Sequence, residues 1–167
     1  MSVWGGVTRP SQVSRKVLLV VACALLVAAI AGCGGGEGVA QGATVTAYVA
    51  APLCAGAKQE LASQHGRAGD LRVQAVCLVS ARSHGKLDLA TLGASARRAT
   101  EDSTTVAYLE ASDPAAARFT RPILETAEVP WISGSSGKVT MARLLKLVGE
   151  TGSGSLRTSL REALHES

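Results

Sequence analysis

VTAYVAA, residues 45–51, is an apolar, β-prone run closed by Pro52, and its reading as a buried strand decides the fold. Working outward, residues 55–65 read as a helix, with Gly66 and Gly69 as stops. LRVQAVCLV, residues 71–79, is a second strand, and residues 80–86 are a loop. Asp88 is placed to cap a helix that runs to about Thr100, with Leu89, Leu92, Ala96 and Ala99 on one face. TTVAYL, residues 104–109, is a third strand. Pro114 suits the first turn of a helix reaching Ala127, and Pro122 inside it predicts a kink or an early restart. Residues 131–133 form a short fourth strand behind Pro130. Residues 139–149, VTMARLLKLVG, and residues 156–165, with Leu156, Leu160 and Leu164 in line, close the chain as helices.

Strands thus alternate with helices along the whole stretch, which argues for βαβ units and a parallel sheet covered on both faces. The expected fold class is α/β: a three-layer lobe of about four parallel strands. Right-handed crossovers leave few topologies, and a flavodoxin-like order, 2-1-3-4, is the simplest.

Upstream lies a different kind of sequence. Arg9, Arg15 and Lys16 are its only charges, VLLVVACALLVAAI fills residues 17–30, and Ala31 and Gly32 precede Cys33. That is the layout of a signal peptide over residues 1–32. An uncleaved anchor is the alternative, but a spanning helix needs about 20 apolar residues. Ile30, Ala31, Gly32 and Cys33 resemble the bacterial lipobox, which implies a diacylglyceryl group on the Cys33 sulfur and a membrane tether. Residues 33–43 contain GGGEGVAQG and read as a flexible Gly-rich tether, leaving residues 44–167 as one lobe. The basic balance is largely a property of the leader. Of 17 Lys and Arg against 13 Asp and Glu, three basic residues and no acid lie in residues 1–32. No basic stripe is left to argue for nucleic acid.

Cys54 and Cys77 form an even pair in what would be an oxidising compartment. The strand order sets strands one and two side by side, and each cysteine lies near the carboxyl end of its strand. The pair reads as a disulfide, with two buried thiols as the alternative. Two cysteines lack the further ligands that zinc needs.

VAAPLCAGA (residues 49–57), GASARRATEDSTTVAYLE (93–110) and RPILETAEVPWIS (121–133), in that order, resemble the first lobe of type I periplasmic solute-binding proteins. The branch is the leucine/isoleucine/valine-binding group of ABC importers. Pro122, Ile123, Leu124 and Glu125 stand where that family has its "PILNEAGI" phrase. LLKLVGETGSGSLRTSLREAL, residues 144–164, resembles the family's closing helices. The resemblance implies an extracytoplasmic receptor for a small amino acid or similar zwitterion, working with an ABC permease. It also implies a ligand between two lobes, whereas this chain carries the first lobe and the family's ending. The site expected from it lies in two loops beyond the strands. Ser112 would offer its hydroxyl after strand three, and Ser133, Ser135 and Ser136 would supply polar groups and amides after strand four. A following helix N-terminus favours an anion there.

The rival expectation is a degenerate lobe that docks a protein or a second copy. Catalysis is not expected, because nothing in the pattern places a base beside a nucleophile for Asp102, Asp113 or Glu110. The stretch around Gly134 to Lys138 fits neither the phosphate-loop pattern nor the nucleophile elbow. His65, His84 and His165 are scattered without metal-ligand spacing, and no cofactor is implied.

Overall fold

The central strand is β1 (Thr44–Val49), and its position explains its composition: five of its six residues are buried, on both faces. The computed structural model describes residues 39–152 and 155–165. The expected signal segment over residues 1–32, the lipidation site Cys33 and the first part of the tether lie outside the described residues.

After β1 come α1 (Ala51–Ser63), β2 (Arg67–Ala68), β3 (Leu71–Cys77), β4 (Arg82–Ser83), β5 (Lys86–Leu87) and α2 (Leu89–Glu101). The chain continues with β6 (Thr105–Ala111), α3 (Pro114–Thr126), β7 (Trp131–Gly134), α4 (Gly137–Thr151) and α5 (Leu156–His165). The main sheet has the order β2-β3-β1-β6-β7. It is an α/β sheet in which β3, β1, β6 and β7 pair parallel, and β2 adds an antiparallel edge outside β3. The whole-sheet order therefore differs from a four-strand lobe by that edge strand. β2 follows from His65, Gly66 and Gly69, whose positive φ values of 54°, 68° and 59° turn the chain back twice over a few residues.

Two apolar layers sandwich the sheet. On one side Ala47, Val49 and Leu109 meet Leu53 of α1, Met141, Leu144 and Val148 of α4, and Leu156 and Leu160 of α5. On the other, Tyr48 and Tyr108 meet Ala96 and Ala99 of α2 and Leu124 of α3. Each large aliphatic side chain so buried contributes about 1.5–3 kcal/mol. Thr46 pairs with Thr105 but Ala47 with Ala107, so Val106 is an extra residue in β6. That irregularity lets both Val106 and Ala107 join the same core cluster.

Three local expectations change. Pro52 does not close β1 at a loop but stands in the first turn of α1, where a missing N–H costs nothing. Residues 80–86 are not plain loop, because Arg82–Ser83 and Lys86–Leu87 pair as a hairpin across His84 and Gly85, both at positive φ. α3 runs unbroken through Pro122 instead of restarting there. No described helix is long and apolar enough to cross a membrane.

Candidate functional site

At the carboxyl ends of β1, β3 and β6 lies a half-open cavity of about 100 Å3. Ala50 and Pro52 form one wall, and the segment from Leu78 to Arg82 forms the next. Leu92 and Ser95 of α2 and Ala116 and Thr120 of α3 face them, while Tyr108 and Glu110 of β6 line the remaining side. Tyr108 and Glu110 are two residues apart, so the pleat puts both on the α2–α3 face. Burial first, and then the negative charge of Glu110, push the Tyr108 hydroxyl up to about 12, so it stays protonated.

Glu110 is the unusual member. It lies within β6 rather than in the loop after it, and it is only 5% exposed. Arg121 of α3 reaches its Oε1 with Nε at 2.8 Å and with a terminal nitrogen at 2.5 Å. The Ser133 hydroxyl of β7 donates to the same oxygen and accepts from Arg121 at 2.9 Å. The guanidinium carbon of Arg121 stands 5.7 Å from the Trp131 ring centroid, which adds a cation–π contact. Glu110 Oε2 is buried without a hydrogen-bond partner. An unpaired buried acceptor carries its full desolvation cost, about 1–3 kcal/mol and more for a charged group.

Arg82 fixes the hairpin over this region. Its Nε and a terminal nitrogen reach Asp113 Oδ2 at 3.1 and 2.5 Å, and another nitrogen donates to the Gly85 carbonyl at 3.3 Å. Asp113 also caps α3, accepting from the Ala115 and Ala116 amides at 3.2 and 3.4 Å. The hydrogen bonds from Arg82 hold its carboxyl below the usual range against a smaller effect of burial. Asp88 caps α2 through the Ala90 and Thr91 amides, and its carboxyl is lowered first by the Thr91 hydroxyl. Both groups have folded pKa values below their unfolded ones. Their stabilisation is complete above an ordinary aspartate pKa of about 3.9 and drains as pH falls through the folded values. Thermal midpoints measured from pH 5 to pH 2 should fall, and Asp113→Asn should flatten that limb. An unchanged slope in the variant would remove Asp113 from the account.

The expected serines do not gather around this cavity. Ser112 and Ser133 line a wider groove of about 560 Å3, shared with Asp113, Arg118, Arg121 and Glu125. The Ser112 amide is spent on the Gly134 carbonyl at 3.0 Å. Ser135 and Ser136 line neither space, and Ser136 precedes α4 as its N-cap without a side-chain capping bond. Cys54 and Cys77 are bonded, with Cα atoms 5.6 Å apart, beside the cavity residues Pro52 and Leu78. Asp102 stands away from this site, accepting from Tyr48 at 3.0 Å and from the Thr104 hydroxyl and amide. Burial works to raise its carboxyl, and those bonds outweigh it, so the net shift is downward.

Arg121 and the role of Glu110 were missed in the sequence. The available signal was a charge inside the apolar run TVAYLEA, since a buried carboxylate requires a partner. Among the described residues no group of three or more His, Cys, Asp or Glu is placed to hold a metal ion. Compared with protein-family models, curated proteins and solved structures, the chain matches none.

Proposed function

We propose that this chain is a lipid-anchored, extracytoplasmic solute-binding domain, tethered through Cys33 and related to the first lobe of branched-chain amino acid ABC receptors. The observation that carries the reading is the cavity at the carboxyl ends of the strands, lined by a buried, half-satisfied carboxylate. Ligands of open α/β sheets bind at that end, and a mainly apolar pocket with few polar groups suits a small solute.

A second reading has its own observation. Val79, Leu89 and Val139 are 76%, 50% and 69% exposed; Val79 lines the cavity, and Leu89 and Val139 stand in the first turns of α2 and α4. Such residues suit a face that docks a protein or a second copy.

The test is thermal unfolding of the full chain in mild detergent against small amino acids and amines, with mass in solution recorded alongside. Ligand at a hundredfold its Kd adds about 2.7 kcal/mol, a shift of several degrees. Ala116→Leu, which narrows the cavity, should remove the shift. No shift with any solute, together with a dimer or larger assembly, would favour docking over solute binding. The anchor is read separately, in the producing cells: Cys33→Ser should abolish incorporation of labelled fatty acid into the chain.

A further inference from the structure

Tyr108 brings an uncommitted donor to the half-open cavity. The residue is 3% exposed, lines the cavity, and makes no hydrogen bond through its hydroxyl among the described residues. The unpartnered side-chain oxygens wholly shut off from solvent there belong to Thr105 and Glu110, so the Tyr108 oxygen keeps some accessible surface. Charge tells its direction. The carboxylate felt at this hydroxyl is that of Glu110, two residues further along β6, which places the hydroxyl towards the carboxyl end of the strand. Tyr48, its neighbour on β1, instead donates to Asp102, which precedes β6 at the other end of the sheet. The accessible part of Tyr108 therefore opens on the cavity. Ser95 of α2 adds a second hydroxyl to the lining, half-buried and likewise unbonded among the described residues. The other polar groups are engaged: Arg82 holds Asp113 and Gly85, and the Thr120 hydroxyl donates to the Ala116 carbonyl at 3.2 Å.

The chemistry of these hydroxyls decides what completes them. A phenol is a better donor than acceptor, because its lone pairs are shared with the ring, so Tyr108 calls for an acceptor. Burial and the Glu110 charge both oppose a negative charge at the Tyr108 oxygen. They oppose an anionic acceptor beside it for the same reason. An uncharged carbonyl oxygen escapes that penalty, and its two lone pairs with no hydrogen of their own suit a space whose free groups are hydroxyls. Leu78 and Leu92 offer an apolar surface to the rest of the ligand. The space of about 100 Å3 is smaller than the ~150 Å3 cavity that takes benzene, so it encloses about four or five heavy atoms.

We propose that this cavity binds a short uncharged carbonyl compound, with the Tyr108 hydroxyl donating to the carbonyl oxygen and the alkyl groups against Leu78 and Leu92. The inference rests on the solute-binding reading and narrows its ligand class: a neutral acceptor, not a carboxylate or a zwitterion, is what the cavity selects.

The experiment is an NMR titration of the full chain in mild detergent with acetone and its two isosteres, acetate and isobutene. The chain is isotope-labelled at tyrosine Cζ and at the leucine methyls. It has two tyrosines, and Tyr48, already bonded to Asp102, serves as the internal reference. Acetone should move the Leu78 and Leu92 methyls and the Tyr108 Cζ signal together to saturation, and leave Tyr48 where it is. Isobutene has the same shape and no acceptor, so it should move the methyls and leave Tyr108 Cζ near its free position. Acetate should bind roughly tenfold more weakly or worse, since an apolar site expels its charge. Tyr108→Phe should weaken acetone by about fivefold or more, the usual scale for stranding an acceptor, and leave isobutene unchanged. An unfolding curve checks that the variant is folded, and if it is not, the Cζ signal of the unaltered protein still decides. Acetone that moves the methyls but not Tyr108, an equal Cζ shift from isobutene, or acetate binding as well as acetone would each overturn the carbonyl assignment and leave solute binding standing. No response to acetone, with a thermal shift for some other solute, would do the same. Silence from acetone and from every solute tested would remove both.

Discussion

Gly137→Ala is expected to lower the unfolding free energy by about 3 kcal/mol or more, among the larger costs of overpacking. A Cβ at Gly137 would stand 1.8 Å from the Leu53 carbonyl oxygen, 2.7 Å from its carbon and 2.8 Å from the Ala57 nitrogen. All three are backbone atoms of α1, so no rotamer change relieves the clash. The crossing is tight from both sides, because a Cβ at Gly56 would lie 2.8 Å from the Lys138 nitrogen. Helices α1 and α4 must move apart, and that opens the layer built on Leu53, Met141 and Leu144. Gly149, on the same helix, is the control. Its Cβ would meet nothing closer than 3.5 Å, so Gly149→Ala should gain the helix-propensity difference, about 0.5–1 kcal/mol. Urea unfolding of both variants checks the pair. A mild effect at Gly137, close to that of Gly149, would mean that the α1–α4 crossing is looser than described.

The layers of this fold were readable because buried parallel strands need apolar runs, and 45–51 and 104–109 supply them. Asp88 was legible as a cap because a short carboxylate ahead of Leu89 and Ala90 has one favourable place, the free amides of a first turn. The antiparallel edge at Arg67–Ala68 was not legible. Two residues carry no periodicity, and the edge depends on successive left-handed turns at His65, Gly66 and Gly69. The hairpin across His84 and Gly85 was hidden for the same reason, and it docks through the side chain of Arg82. The site was half legible. Position at the strand ends follows from topology, but the choice of residues came from loop composition, where serine and glycine stand out. Glu110 instead works from within β6, and its partner Arg121 comes eleven positions later on α3, a distance no local pattern connects. Pro122 does not restart the helix, for another reason. A proline inside a helix removes one hydrogen bond, and the packing of Leu124 and Thr120 on either side keeps α3 continuous.

Breaking the Cys54–Cys77 bond is expected to cost roughly 3 kcal/mol, the chain-entropy estimate for a loop of this size. The cysteines are 23 residues apart, and the loop they close runs from the first turn of α1 through β2 to the end of β3. The midpoint of thermal unfolding should drop by on the order of 10 °C, since a domain of this size moves several degrees per kcal/mol. A reductant should lower the midpoint of the unaltered chain to that of a Cys54→Ser, Cys77→Ser double variant, and leave the double variant where it was. A midpoint indifferent to reductant would mean that the bond is not formed or does not matter. The bond also bears on binding. Cys77 ends β3 opposite Val49, and Cys54 sits in the first turn of α1, so the link joins the two segments that carry Leu78 and Pro52 to the cavity. Any thermal shift given by a solute should therefore shrink in the double variant even when the variant is fully folded at the starting temperature. Location enters through the same chemistry. Structural disulfides persist in oxidising compartments and are rare in the cytosol. If residues 1–32 are the proposed export signal, a chain lacking them should accumulate reduced, with the lower midpoint, whereas the full chain should carry the bond. Equal oxidation of the two would detach the disulfide from the export argument and leave Cys33 to carry it alone.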